Sequence, residues 1–192
     1  MKFYIADCHF DHGNIIHFDN RPFKTVDEMN EEMIKRWNNA VTKADEVYIL
    51  GDFCWSKEDR WIEILEQLNG QKTLITGNHD ITPSKSRRFF ADVKERKIID
   101  DNGRKVVIDH FPSPCFRNHF YGWFHLYGHV HNSFEHNMME HDKYLMEQLY
   151  GKQCEMYNVG VMMPYMDYTP RTLDEILRGY NDGQKPDTKI IF

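Results

Sequence analysis

The sequence predicts an α/β fold, and three observations carry that reading. Short apolar runs rich in β-forming residues alternate with helical patterns. Two of the helical patterns open on a Thr followed three residues later by Glu. Most of the apolar runs end directly on Asp, His or Asn, as expected where an α/β sheet presents ligand-binding groups at the C-terminal ends of its strands.

In chain order, residues 2–6 form the first expected strand. A helix follows from the Thr25/Glu28 capping box, with Val26, Met29, Met33, Trp37 and Val41 on one face. Residues 46–50 make the second strand. A second helix runs from Ser56 through Trp61, Ile64, Leu65 and Leu68 to its stop at Asn69-Gly70. Residues 72–76, 105–109, 124–127 and 157–161 complete the strands. An inserted loop with a helical hint, at Met138, Leu145, Met146 and Leu149, is expected at about 132–156. A last helix starts at Thr172, with Glu175 completing its capping box and Leu173, Ile176 and Leu177 facing inward.

Composition bounds the function. With 192 residues, 41% hydrophobic and 28% charged, the chain reads as one domain, 1–192, large enough to bury its own core. No apolar run approaches the roughly 18 residues of a membrane span. Phe3-Tyr4-Ile5-Ala6 is too short for a signal-peptide core, so the expectation is a soluble cytoplasmic protein without a membrane partner. The net charge of −6 argues against strong binding to nucleic acid, and the basic stretches at 85–88 and 94–97 read as solvated surface. Cys8, Cys54, Cys115 and Cys154 form no C-x-x-C pair, which argues against a zinc ribbon. Oligomeric state is not legible.

The strand ends carry the chemistry. They deliver Asp7-Cys8-His9, Gly51-Asp52, Gly77-Asn78-His79-Asp80, Asp109-His110 and Gly128-His129-Val130-His131. A single His-x-His pair or Gly-Asp turn is commonplace. Chance explains poorly why successive strands all end in such groups, with Cys and Lys avoided at the ligand positions.

In this order, Asp7-x-His9, Gly51-Asp52, Gly77-Asn78-His79-Asp80, His110 and Gly128-His129-x-His131 resemble the calcineurin-like metallophosphoesterase superfamily. Similarity to its small stand-alone bacterial and phage members extends through Phe10-x-His12-x-Asn14, Asn20-Arg21-Pro22-Phe23 and Asn158-Val159-Gly160. The resemblance implies a four-layer sandwich: two mixed sheets flanked by helices, with a two-metal site at the strand ends. By the same resemblance Asp7, His9 and His131 would hold one metal ion and Asn78, His110 and His129 the other. Asp52 would bridge both, and His79 would protonate the leaving group. The longer Gly-Asp-x-x-Asp form is absent, since Gly51-Asp52 continues Phe53-Cys54-Trp55, which disfavours a phosphoprotein phosphatase.

The chemistry is consistent on its own terms. Only Asp7 and Asp52 of this set are anionic, so two divalent ions would keep positive charge for a bridging hydroxide and an anionic phosphoester. The imidazole-rich set favours Mn, Fe, Zn or Ni over Mg. The expected function is hydrolysis of a small phosphomono- or phosphodiester. A nuclease on the same fold and a non-catalytic interaction scaffold are the rival readings. Arg21 and His12, with His17 and Arg117 behind them, are candidates to contact the substrate phosphate, while Cys8 and Cys54 read as core packing.

Overall fold

The structure, a computed structural model, describes residues 1–183; the last nine positions of the expected 1–192 domain lie outside the described residues. The first sheet consists of β1 (Lys2–Ile5), β2 (Glu46–Leu50), β3 (Gln71–Ile75) and β4 (Phe90–Lys94), in that order and parallel throughout. The second consists of β5 (Arg96–Asp101), β6 (Arg104–Asp109), β7 (Phe124–Tyr127) and β8 (Met156–Asn158). Here β5 runs antiparallel to β6 and the remaining pairs are parallel, so this sheet is mixed. Mixed pairing is thus confined to the second sheet. Helices flank the pair, giving the α/β sandwich expected.

Near-continuous apolar runs form these strands because both faces are covered. Ile49, Leu50, Leu74, Ile75, Val106, Ile108 and Leu126 are all buried, and one apolar cluster spans both sheets. Helix α1 (Ile15–Phe18) is a single turn after the first strand. Helix α2 (Val26–Ala40) buries Met29, Met33 and Trp37. Its cap Thr25 accepts from the Glu28 amide, but the Glu28 carboxylate takes the amide of Lys24 rather than that of Thr25. Helix α3 (Glu58–Gln67) buries Trp61, Ile64 and Leu65 and starts after Lys57, slightly later than Ser56 suggested. In α5 (Leu173–Asp182) the Thr172/Glu175 box is complete in both directions.

Two strands escaped the sequence reading. Edge strand β4, Phe-Ala-Asp-Val-Lys, buries only its first residue and shows no apolar alternation. Strand β5 pairs with β6 through an Asn102-Gly103 turn with φ of 54° and 84°, the combination a two-residue hairpin requires. That Asn-Gly pair was the readable signal.

The stretch expected as an inserted loop contains α4 (Phe134–Tyr150), capped by Ser133. The helical hint at Met138, Leu145, Met146 and Leu149 falls within it, but only Met146 of these is buried and the apolar pattern is otherwise inverted. His136, Glu140 and Lys143 point inward and are buried, whereas Phe134, Met138, Leu145 and Leu149 are exposed. Among the described residues, no helix is long and apolar enough to cross a membrane.

Candidate metal centre

The functional side chains sit just past the ends of β1, β2, β3, β6 and β7, where hydrogen bonding continues beyond the strands. The Asp7 amide donates to Gly51 O (3.1 Å), that of His9 to Asp52 O (2.9 Å) and that of Gly128 to His110 O (2.9 Å). The first two bonds join loops of the first sheet and the third joins loops of the second. A tie between the sheets runs from β1 to the end of β8, where Ala6 N meets Val159 O at 2.9 Å.

The loops are strained where they turn. Asp7 (φ 53°), His9 (49°), Asp52 (52°), His129 (70°) and His131 (48°) all occupy the left-handed region. Each such non-glycine residue costs on the order of 1–3 kcal/mol, and such strain clusters at functional sites. Gly51, at φ 85°, has a different reason. A Cβ there would lie 2.2 Å from His110 Nδ1, so only glycine lets the ring approach.

All seven residues proposed from the motifs converge. His9 Nε2 lies 3.3 Å from His131 Nε2 and 3.6 Å from Asp52 Oδ2. Asp52 Oδ2 is likewise 3.6 Å from His110 Nε2. Asn78 Oδ1 stands 3.0 Å from His110 Nε2 and 2.9 Å from His129 Nδ1. Asp7 is buried, with its carboxylate accepting from the His129 amide at 3.0 Å and standing 3.9 Å from His131 Nε2. Two donor groups compact enough for a metal ion follow: Asp7, His9 and His131, and Asp7, Asp52 and His110. Asp7 belongs to both, a sharing the motifs did not assign.

The donor chemistry fits cations. His110 Nδ1 donates to Leu50 O at 2.8 Å, which fixes the ring so that Nε2 faces the Asn78 and Asp52 oxygens. Burial raises the pKa of Asp7, so its carboxylate lacks the solvation that a cation would replace. Burial also drives the pKa of His9 far below the ordinary imidazole value, keeping it a neutral donor.

Supporting residues complete the edge: Asp19 lies outside the motifs, and Asp80 stands in one that assigns it no role. Asp19, just after α1, accepts from His131 Nδ1 at 2.7 Å. Burial opposes the charged form of His131, but this bond and the Asp7 and Asp19 charges outweigh it and raise the ring's pKa. Asp80 accepts from the amides of Asp52 (3.0 Å), Phe53 (2.8 Å) and Gly77 (2.8 Å), clamping the loops after β2 and β3 together. Burial raises its pKa to about 6. Asp80 stood in plain sight after His79, but a carboxylate that binds backbone has no spacing signature.

The remaining candidates divide. His79 is exposed beside the cluster, its amide donating to Asp52 Oδ1 at 3.0 Å. His12 stacks on the Trp55 ring at 4.4 Å and reaches His9 at 5.4 Å, at the rim. Arg21 is a correction. Its guanidinium is buried and donates to Cys8 O (2.8 Å), Asp7 O (2.9 Å) and Asp19, so it braces the loop from behind and does not face a substrate. Arg117 lies over the Trp123 ring, and His17 is exposed on α1. Cys8 and Cys54 are buried, as read.

A family model for calcineurin-like phosphoesterases matches residues 3–159, a span that takes in every one of these loops. The chain belongs to that family. Relatives of this chain include protein MJ1445 of Methanocaldococcus jannaschii, described as uncharacterized, which is 35% identical over 182 residues, 94% of this chain and 91% of its own. The gene 66 protein of mycobacterium phage L5 is 32% identical over 80 residues, 40% of this chain and 38% of its own. Among solved structures, a protein of unknown function from Aquifex aeolicus, AQ665, superposes with a TM-score of 0.70 at 25% identity, over 93% of this chain and 98% of that chain. Members of the family bind divalent metals, and the Asp/His groups at this edge are compact enough to hold them.

Proposed function

We propose that this calcineurin-like phosphoesterase is a dinuclear metal-dependent hydrolase of small phosphoric esters. The observation that carries the reading is Asp52 Oδ2, 3.6 Å from His9 Nε2 on one side and from His110 Nε2 on the other. A carboxylate oxygen between two imidazole donors suits a bridging ligand. Asp7, His9 and His131 would then hold one ion, and Asn78, His110 and His129 the second. When bound, two divalent ions supply hydroxide at neutral pH and positive charge for the phosphoryl oxygens. Mn, Fe, Zn or Ni suits the imidazole content.

The chain's own part is positioning and proton transfer. Asp19 and Leu50 O hold the His131 and His110 rings in register through their Nδ1 atoms. The backbone bond from His79 to Asp52 fixes where the exposed His79 ring begins, beside the bridging carboxylate. Its imidazole gives a proton to the departing alkoxide oxygen, a role typically worth 10²–10⁴-fold.

The test joins metal content to turnover. Protein loaded with Mn is expected to carry two ions and to hydrolyse p-nitrophenyl phosphate or a generic diester, with activity lost on chelation. Asp52→Asn is expected to lose both ions. His79→Ala should keep them, yet lose far more rate on an alkyl phosphoester than on a p-nitrophenyl ester, whose leaving group needs no proton. Active protein with only traces of metal would sink the dinuclear reading; equal losses on both substrates would sink the acid role.

A further inference from the structure

Helix α4 carries its apolar stripe on the outside. Phe134, Met138, Leu145 and Leu149 follow helical spacing down one face, and all four are open to water, Phe134 at 65% and Leu149 at 75%. The opposite face is fixed inward by polar contacts. Glu140 accepts from Tyr180, and Lys143 Nζ stands 3.9 Å from the centre of the Tyr180 ring and 4.3 Å from that of Tyr157. Rolling the stripe into the core would break all of these contacts.

The apolar surface continues past the end of the helix. Tyr150, half exposed, meets the Phe120 ring edge-on at 4.4 Å, and Tyr121 beside it is 80% exposed. At ~200 Å² for an aromatic side chain, these three rings with Phe134 and Tyr144 open on the order of 500 Å² before Met138, Leu145 and Leu149 are counted. The largest apolar patch of a typical monomer is only about 300–600 Å². A standard interface takes ~800 Å² from each partner, a size that the whole surface approaches.

Charge and spacing select the occupant. The stripe bears no Asp, Glu, Lys or Arg; Glu135 and Asp142, which border it, are acidic, and the helix's one lysine, Lys143, is buried on the inner face. Nucleic acid and anionic lipid both call for cations beside the apolar groups, so neither fits. The stripe does fit itself turned end for end. Phe134 and Met138 are four residues apart, as are Leu145 and Leu149. An antiparallel copy about a two-fold axis therefore sets Phe134 against Leu149 of the second copy and Met138 against its Leu145, each pair made twice. At the centre, His141 and Asp142 bring one imidazole for each carboxylate, so the acids do not meet one another alone.

Independently of the hydrolase reading, we propose that α4 is the seam of a two-fold homodimer, packed antiparallel against its counterpart in a second copy of this chain.

The mass in solution tests this. At micromolar concentration, analytical ultracentrifugation of the full chain should give twice the 23.1 kDa of one copy. Met138→Glu and Leu145→Lys should each raise the dimer Kd by about tenfold or more. Their circular dichroism and urea midpoints, measured at concentrations where both are monomeric, should match one another, because both sites are exposed. Mixed together, the two variants should dimerise again, since the new acid of one faces the new lysine of the other while the second Met–Leu pair stays native. That rescue also shows that both variants are folded. A monomeric wild type overturns the proposal, as does a dimer that neither variant weakens. A mixture no tighter than either variant alone overturns the antiparallel pairing. Monomer that floats with vesicles of phosphatidylserine and phosphatidylcholine overturns the proposal by giving the stripe to a membrane surface.

Discussion

Asp19 Oδ1 lies 2.7 Å from His131 Nδ1, across 112 residues of sequence. The bond sets which nitrogen of His131 faces the donor cluster. It also links α1 to the loop after β7, and the same carboxylate accepts from Arg21, which in turn holds the carbonyls of Asp7 and Cys8.

Asp19→Asn is therefore expected to lower metal affinity or turnover by about 10- to 100-fold, the usual effect of losing a partner that orients a metal-binding His. Arg21→Lys should weaken the protein by loosening the Asp7 loop, with no dedicated effect on substrate KM. Metal titration of both variants, alongside steady-state kinetics, checks this pair. A KM effect confined to Arg21→Lys would show that Arg21 reaches the substrate after all.

Gly51→Ala should be among the most damaging small changes. The residue sits at φ 85°, and the new Cβ would overlap the His110 ring at 2.2 Å and the Gly77 Cα at 2.9 Å. Backbone strain and forced displacement of His110 together should cost about 2–4 kcal/mol. Gly103→Ala, also at positive φ but with nothing near the added carbon, should cost less. Chemical denaturation of the two variants compares them directly.

The inner face of α4 should behave as a coupled unit. Lys143 Nζ is buried 3.9 Å from Glu140 Oε2 and stands over the rings of Tyr180 and Tyr157, with Glu140 also accepting from Tyr180. Burial lowers the pKa of Lys143. Lys143→Met alone strands Glu140 and should destabilise by roughly 3 kcal/mol, whereas Glu140→Leu with Lys143→Met should recover most of the loss. Urea denaturation of the two single variants and the double gives the coupling.

The loop after β3 is pinned by Glu58, whose carboxylate accepts from the amides of Ser84 and Ser86 and from both hydroxyls. The Ser86 and Ser84 amides, opposed by desolvation and helped by the two hydroxyls, hold its pKa at about 2, below the ordinary 4.5. A depressed carboxylate stabilises the fold above its unfolded pKa and loses that contribution as pH falls through the folded value. Wild-type protein should thus lose stability between about pH 4.5 and 2 more steeply than Glu58→Gln. Acid titrations of both, followed by circular dichroism, would show parallel curves if the clamp is idle.

Local order in the chain announces much of this molecule. Apolar runs at β1, β2, β3, β6 and β7, the caps at Thr25 and Thr172, and the polar groups that end those strands depend on neighbours within a few residues. Their physics is therefore written in spacing. The same holds for the Asn102-Gly103 turn, a local signal that should have disclosed β5. What spacing does not carry is convergence. Asp19 reaching His131, Asp80 gathering three amides, Arg21 turning inward to Asp7 O and α4 burying its charged face each depend on partners brought near by packing. A carboxylate that orients an imidazole and one that merely meets water look alike in a sequence. The fold distinguishes them, because burial removes the water and leaves the polar groups to satisfy one another.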